Sequence, residues 1–146
     1  MKVIFLDIDG VLNRIGVAGR TDQRYRGRIG IDPELAEKFN ALVKRTGASV
    51  VLSSTFRLEV GWYFILKDSG IDTKPFIGAT PRLPGCPRGE EVEKWLEDHD
   101  DVERYAIIDD ESDMLAHQKL FKTQYGTGLT DEICDAVAAY LGAGKS

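Results

Sequence analysis

The sequence predicts an α/β protein with a three-layer, open parallel sheet of the Rossmann-like kind, and three observations predict it. Short apolar runs of strand length alternate with segments of helical periodicity. Strands joined by such helical crossovers lie parallel, and right-handed crossovers cover both faces of the sheet. Acids or hydroxyls close three of the runs, at Asp7/Asp9, Ser53 and Asp109/Asp110. Open parallel sheets bind ligands outside the carboxyl ends of their strands, near a topological switch point, so those three segments are the candidate site.

The first element is Val3-Ile4-Phe5-Leu6, a buried strand that runs into Asp7-Ile8-Asp9-Gly10-Val11-Leu12-Asn13. Side chains alternate along an extended segment, so Asp7 and Asp9 are expected on one side and Ile8 on the other. Gly10 allows a sharp backbone turn beside the two acids. Residues 13 to 31 are rich in Gly and Arg without periodicity and read as a long loop or flexible hairpin.

Asp32-Pro33 begins a helix as N-cap and first-turn proline, with Leu35, Phe39, Leu42 and Val43 as its apolar stripe and Gly47 as its stop. Residues 48–52 form the second strand, ending at Ser53-Ser54-Thr55. An aromatic-rich segment from 58 to 69, containing Trp62, Tyr63 and Phe64, predicts a helix weakened by Gly61. Residues 75–78 are a third strand, and a Pro/Gly loop then leads to a helix bearing Val92, Trp95 and Leu96. Residues 105–108 are the fourth strand, ending in Asp109-Asp110. A last strand lies between 119 and 125, with room for a helix before it, and Thr130 caps a helix carrying Ile133, Val137, Tyr140 and Leu141.

A chain of 146 residues, 42% of them hydrophobic, supports one sizeable core, so one domain over 1–146 is expected. No apolar run is long enough to span a membrane, and the N-terminal run is broken by Asp7 and Asp9. The expectation is therefore no membrane association and a cytoplasmic protein, monomeric by default. Cys86 and Cys134 stand in unlike contexts without ligand spacing and read as free thiols. Net charge is −5, but unevenly spread: residues 14–28 hold five arginines against one acid, whereas residues 89–113 hold twelve of the 24 acids.

Cleaving a phosphate ester needs a nucleophile, cations to neutralise the phosphoryl oxygens and a proton for the leaving group. The three segments can supply them. Clustered carboxylates need a counter-cation, and hard oxygen ligands select magnesium, with Asp7 and Asp109 as its first side chains.

The stretch Asp7-Ile8-Asp9-Gly10-Val11-Leu12-Asn13 resembles motif I (DxDGxxN/T) of the haloacid-dehalogenase-like (HAD) phosphohydrolases. Ser53, after Val50-Val51-Leu52, is similar to motif II, and Asp109-Asp110-Glu111-Ser112-Asp113 fits both spellings of motif IV, DD and DxxxD. With motif III, a Lys or Arg near the start of the helix before the fourth strand, the four motifs fall in the family's order from residue 7 to residue 113. The resemblance implies that Asp7 is the nucleophile and Asp9 the general acid and base. It implies that Ser53 donates to the phosphoryl group and that a cation before the fourth strand stabilises it. Arg88 best fits that cation, with Lys74 and Arg82 as rivals. Asp9 is implied to bind magnesium through its backbone carbonyl, with Asp110 or Asp113 completing the shell. Gly10 and Ser54 are further expected to line the substrate site.

HAD phosphatases commonly carry a cap, inserted after motif I or between motifs II and III. Here 23 residues separate Asp9 from Pro33 and nine separate Gly78 from Arg88, too few for a separate cap domain. An open site must select its substrate over a surface, and Arg24, Arg26 and Arg28 suit a polyanion. The expected partner is therefore a phosphorylated macromolecule, first a polynucleotide 3′ end, with a nucleotide or phosphoprotein as alternatives. A receiver-like module phosphorylated on Asp is the non-enzymatic alternative, but it would carry its acidic pair after the first strand and its phospho-acceptor after the third, an order this chain lacks.

Overall fold

The computed structural model describes residues 1–13, 24, 25, 28–58 and 60–142, with the backbone alone at 24, 25, 28 and 29. In chain order the elements are β1 (Lys2–Leu6), a short antiparallel hairpin of β2 (Arg24–Tyr25) and β3 (Arg28–Ile29), and α1 (Pro33–Thr46). After β4 (Ser49–Leu52) come a 3-10 turn (Thr55–Leu58), α2 (Trp62–Asp68), β5 (Phe76–Ala79) and α3 (Arg88–Glu97). The chain then forms β6 (Arg104–Asp109), β7 (Leu120–Lys122) and α4 (Asp131–Tyr140).

Five strands form one parallel sheet in the order β5-β4-β1-β6-β7. The chain leaves β1 toward β4 and β5, then crosses back to β6 and β7. The winding therefore reverses beside β1, which places the switch point between β1 and β6. Among the described residues there is no cap domain.

The period of two along the strands sorts the core into two layers. Ile4, Leu6, Val50, Leu52, Ala106 and Ile108 face α1, α2 and α4 through Leu35, Phe39, Leu66, Val137 and Leu141. Val3, Phe5, Val51 and Ile107 face α3 alone through Val92 and Trp95, where Phe5 meets Trp95 edge to face. The three-layer expectation holds, with unequal outer layers.

Local chemistry explains the helix ends. Asp32 accepts from the Glu34 N–H, Pro33 opens α1, and Gly47 closes it in the left-handed region. Thr130 accepts from the Ile133 N–H at the start of α4. The helix expected over 58–69 is instead a 3-10 turn followed by α2, because Gly61 stands at φ 78° and interrupts the helical path. Residues 110–119 form turns rather than a helix, and the last strand is only three residues long. Cys86 is exposed and Cys134 buried, both as free thiols. No helix among the described residues is long and apolar enough to cross a membrane.

Candidate active site

β1 carries Asp7 to the centre of the sheet's carboxyl edge. Its N–H donates to the Ile108 carbonyl at 3.1 Å, and the Ser53 N–H donates to the Leu6 carbonyl at 2.7 Å. The first segment is thus sewn between the ends of β4 and β6. The strand ends at Leu6, and the chain turns at once: the N–H groups of Val11 and Leu12 both donate to the Ile8 carbonyl. Asp9 therefore leaves the strand alternation expected of it. Its Oδ1 accepts from the Asn13 amide at 3.0 Å, while the Asn13 Oδ1 accepts from the Gly10 N–H at 2.9 Å. Asn13 is a residue whose role sequence reasoning did not assign, although it is the N of the DxDGxxN pattern.

Carboxylate oxygens of Asp7, Asp109 and Asp110 lie within 4.8 Å of one another. Asp7 and Asp109 are buried and Asp110 is half-buried. Gly10 is what lets Asp110 approach. It sits at φ 80°, and a Cβ there would lie 2.3 Å from the Asp110 Oδ2. Thr123 secures the same turn by donating its hydroxyl to the Gly10 carbonyl at 2.7 Å, and its N–H donates to the Asp109 carbonyl.

Arg88 is the cation that the fold delivers. Its Nη1 stands 3.2 Å from Asp7 and 2.8 Å from Asp109. Its backbone N–H donates to the Asp113 carboxylate at 2.9 Å, and the next N–H, of Gly89, donates to the Asp113 carbonyl. Asp113 therefore holds the first turn of α3, while Asp110 joins the carboxylate cluster. Gly89 permits this contact, since a Cβ there would meet the backbone of Met114 and Leu115 at under 3 Å. Gln118, another residue not foreseen, reinforces it by donating to the Gly89 carbonyl. Neither Lys74 nor Arg82 is ion-paired to these acids.

Burial, and next the facing charge of Asp109, holds the Asp7 carboxyl above the usual carboxylate range, against the pull of Arg88. Burial likewise raises Asp109, opposed by Arg88. Arg88 remains cationic: burial opposes its charge, but Asp7 and Asp109 outweigh it. One guanidinium does not neutralise three close carboxylates, so the site calls for further positive charge. Three hard oxygen donors within reach of one another fit a magnesium ion.

The Ser53 side chain is fully buried, and its Oγ has no hydrogen-bond partner among the described residues. Ser54 is placed differently: its Oγ accepts from the Phe56 N–H at 3.1 Å and starts the 3-10 turn. Of the arginine loop, Arg24 and Arg28 have their backbones in β2 and β3, while Arg14, Arg20 and Arg26 lie outside the described residues.

A family model described as the HAD domain in Swiss Army Knife RNA repair proteins matches residues 3–134. The chain belongs to this HAD family. No curated protein and no solved structure matches it. The match runs from β1 into α4, so Asp7, Asp9, Ser53, Arg88, Asp109, Asp110 and Asp113 all lie inside the matched span. HAD membership carries a phosphatase-type hydrolase assignment, and an acidic cluster that could hold a metal ion stands at the sheet's carboxyl edge.

Proposed function

We propose that this HAD domain is a magnesium-dependent phosphatase that works through an aspartyl-phosphate on Asp7 and acts on a polyanionic substrate, first a polynucleotide 3′ end. The observation that carries the reading is the Ser53 hydroxyl, a buried donor without an acceptor beside Asp7. Buried hydroxyls are nearly always paired, and a phosphoryl oxygen seated over Asp7 is the acceptor this one lacks.

In this reading Asp7 attacks phosphorus while Ser53 and Arg88 hold the phosphoryl oxygens where negative charge gathers. The Asp9 carboxyl, oriented by Asn13, gives a proton to the departing oxygen. It then takes one from the water that cleaves the acyl phosphate, returning Asp7 to its starting state. Magnesium, held by the side chains of Asp7, Asp109 and Asp110 with the Asp9 carbonyl, supplies charge neutralisation across the nucleophile and the phosphoryl group when bound.

The substrate assignment rests on the open site, the five arginines at 14–28 and the description of the matched family, which concerns RNA repair proteins. The test compares hydrolysis of a 3′-phosphorylated oligonucleotide with that of a small phosphate ester as salt is raised. The oligonucleotide's apparent affinity should fall with a log–log slope of roughly −0.7 for each phosphate gripped. Replacing Arg24, Arg26 and Arg28 together should flatten that slope. Turnover that survives excess chelator, or equal efficiency on both substrates at every salt concentration, would refute the corresponding part of the reading.

A further inference from the structure

Among the described residues six large apolar side chains are left exposed, and four of them fall together, apart from Ile77 and Tyr125. Leu58 is 51% exposed, Val60 80%, Tyr63 38% and Phe64 66%, all within one short stretch that follows Ser53-Ser54. The topology fixes where this stretch lies. The segment after β4 starts at the sheet's carboxyl edge, and α2 returns the chain toward the start of β5. The 3-10 turn therefore lies on the same edge as Asp7 and Ser53, and α2 begins four residues after Leu58. Four residues of a 3-10 turn rise only about 8 Å, so the patch begins within about a nucleotide's reach of the phosphoryl position.

Core packing does not account for it. Trp62 leans on Phe76 and Leu66 is fully buried, so these residues of α2 already anchor the helix. Tyr63 meets Trp62 at 6.1 Å and Phe64 at 5.7 Å, both edge to face, and the Phe64 ring is left largely in solvent. Such a patch costs solvation free energy unless something covers it. Its size selects the occupant. Four side chains offer a few hundred square ångströms, well short of the roughly 800 Å² that each partner contributes to a stable protein–protein interface. An exposed ring such as that of Phe64 beside a phosphate site suits one or two nucleobases, which stack on any accessible ring without regard to sequence.

We propose that Tyr63 and Phe64, flanked by Leu58 and Val60, form a stacking platform for the terminal bases of a polynucleotide whose 3′ phosphate lies at Asp7. The proposal rests on the phosphatase reading for the position of the phosphate, but it can be tested separately from it. The 3′ phosphate enters between Ser53 and Arg88, and the last base folds back onto the ring of Phe64.

Two measurements decide it. The first compares hydrolysis of two 3′-phosphorylated oligonucleotides that differ only in carrying adenine or no base on the terminal nucleotide. The adenine substrate should have a KM lower by roughly ten-fold, and Tyr63→Ala with Phe64→Ala should bring that ratio close to one. Ile77→Thr, an exposed apolar position on the edge strand β5, should leave the ratio as in the wild type. The second titrates Asp7→Asn with an oligonucleotide bearing 2-aminopurine at its 3′ end. Fluorescence should be quenched on binding, and the quench should be lost with Phe64→Ala. Equal KM values for the two substrates with no quench would overturn the platform even if the chain is an active phosphatase. Quenching that depends on Phe64 without hydrolysis of any substrate would keep the platform and remove the phosphatase reading. A concentration-dependent dimer that Phe64→Ser dissociates, with the base preference absent, would assign the patch to a second copy of the chain and overturn the proposal.

Discussion

Arg57 and Glu91 form a buried ion pair, Nη2 to Oε2 at 2.9 Å, that ties the turn after β4 to α3. Arg57 also donates to the Ser54 carbonyl, and Glu91 accepts from the Leu83 N–H at 2.9 Å. Glu91 lies one helical turn beyond Arg88. The pair thus links the segment carrying Ser53 to the helix carrying Arg88, the two groups that the proposed reaction brings to one phosphoryl group.

Removing one member leaves the other charged and buried, since both side chains are under a tenth exposed. Glu91→Ala should lower unfolding free energy by about 3–5 kcal/mol in urea denaturation, and Arg57→Ala should do likewise. The double replacement Arg57→Met with Glu91→Leu should recover much of that loss. Additive losses in the double variant would mean that the two side chains do not act as a pair.

Gly10 and Asp110 are coupled by space. Gly10→Ala forces a residue with a Cβ into the left-handed region, at about 1–2 kcal/mol, and pushes the Asp110 carboxylate off its position. The expected outcome is a modest fall in Tm and a disproportionate loss of magnesium affinity by calorimetric titration. Unchanged affinity would remove Asp110 from the metal site.

The sequence made some of these relationships legible and hid others for physical reasons. Asp7 and Asp109 were readable because a buried parallel strand that ends in acids has few other uses. Asp32 and Gly47 were readable because helix caps are local chemistry. Arg57–Glu91 joins residues 34 apart among many charged side chains, and no local pattern marks such a pair. The Asp113 contact with the start of α3 was likewise hidden, since it depends on the path of the 110–118 turns. The exposure of Phe64 was obscured by an apparently continuous aromatic helix, which Gly61 in fact interrupts.

The raised Asp7 carboxyl gives the metal-free protein a definite pH response. Burial and the facing Asp109 keep the folded-state pKa above the ordinary 3.8, so above that value the folded chain holds more protons than the unfolded one. The associated stability is fully present below the unfolded pKa and is lost as pH rises through the folded one. In chelator, Tm should therefore fall between about pH 5 and 8, and Asp7→Asn should flatten the fall. Magnesium requires ionised carboxylates, so its binding should release protons and tighten as pH rises over the same interval, seen as buffer-dependent heats in calorimetry. A Tm that rises over that interval, with Asp7→Asn unchanged, would place the charge repulsion elsewhere.

Ser53 separates stability from function. Its hydroxyl is fully buried and has no partner among the described residues, so folding already bears the loss of its hydration. Ser53→Ala deletes that unpaired oxygen and leaves a space too small to matter much. It should be neutral or stabilising, by up to about 1 kcal/mol. If the hydroxyl's acceptor is the phosphoryl group, the same change removes a preorganised donor at the point where charge accumulates, and kcat should fall by roughly 10²–10³. Ser53→Thr retains a hydroxyl at the cost of an added methyl group in a closed space, so it should recover part of the activity while losing stability. The two variants should therefore move in opposite directions, Ala toward a stable and slow protein and Thr toward a weaker and faster one. Loss of stability in Ser53→Ala would show that the hydroxyl is paired within the fold and is not waiting for a substrate.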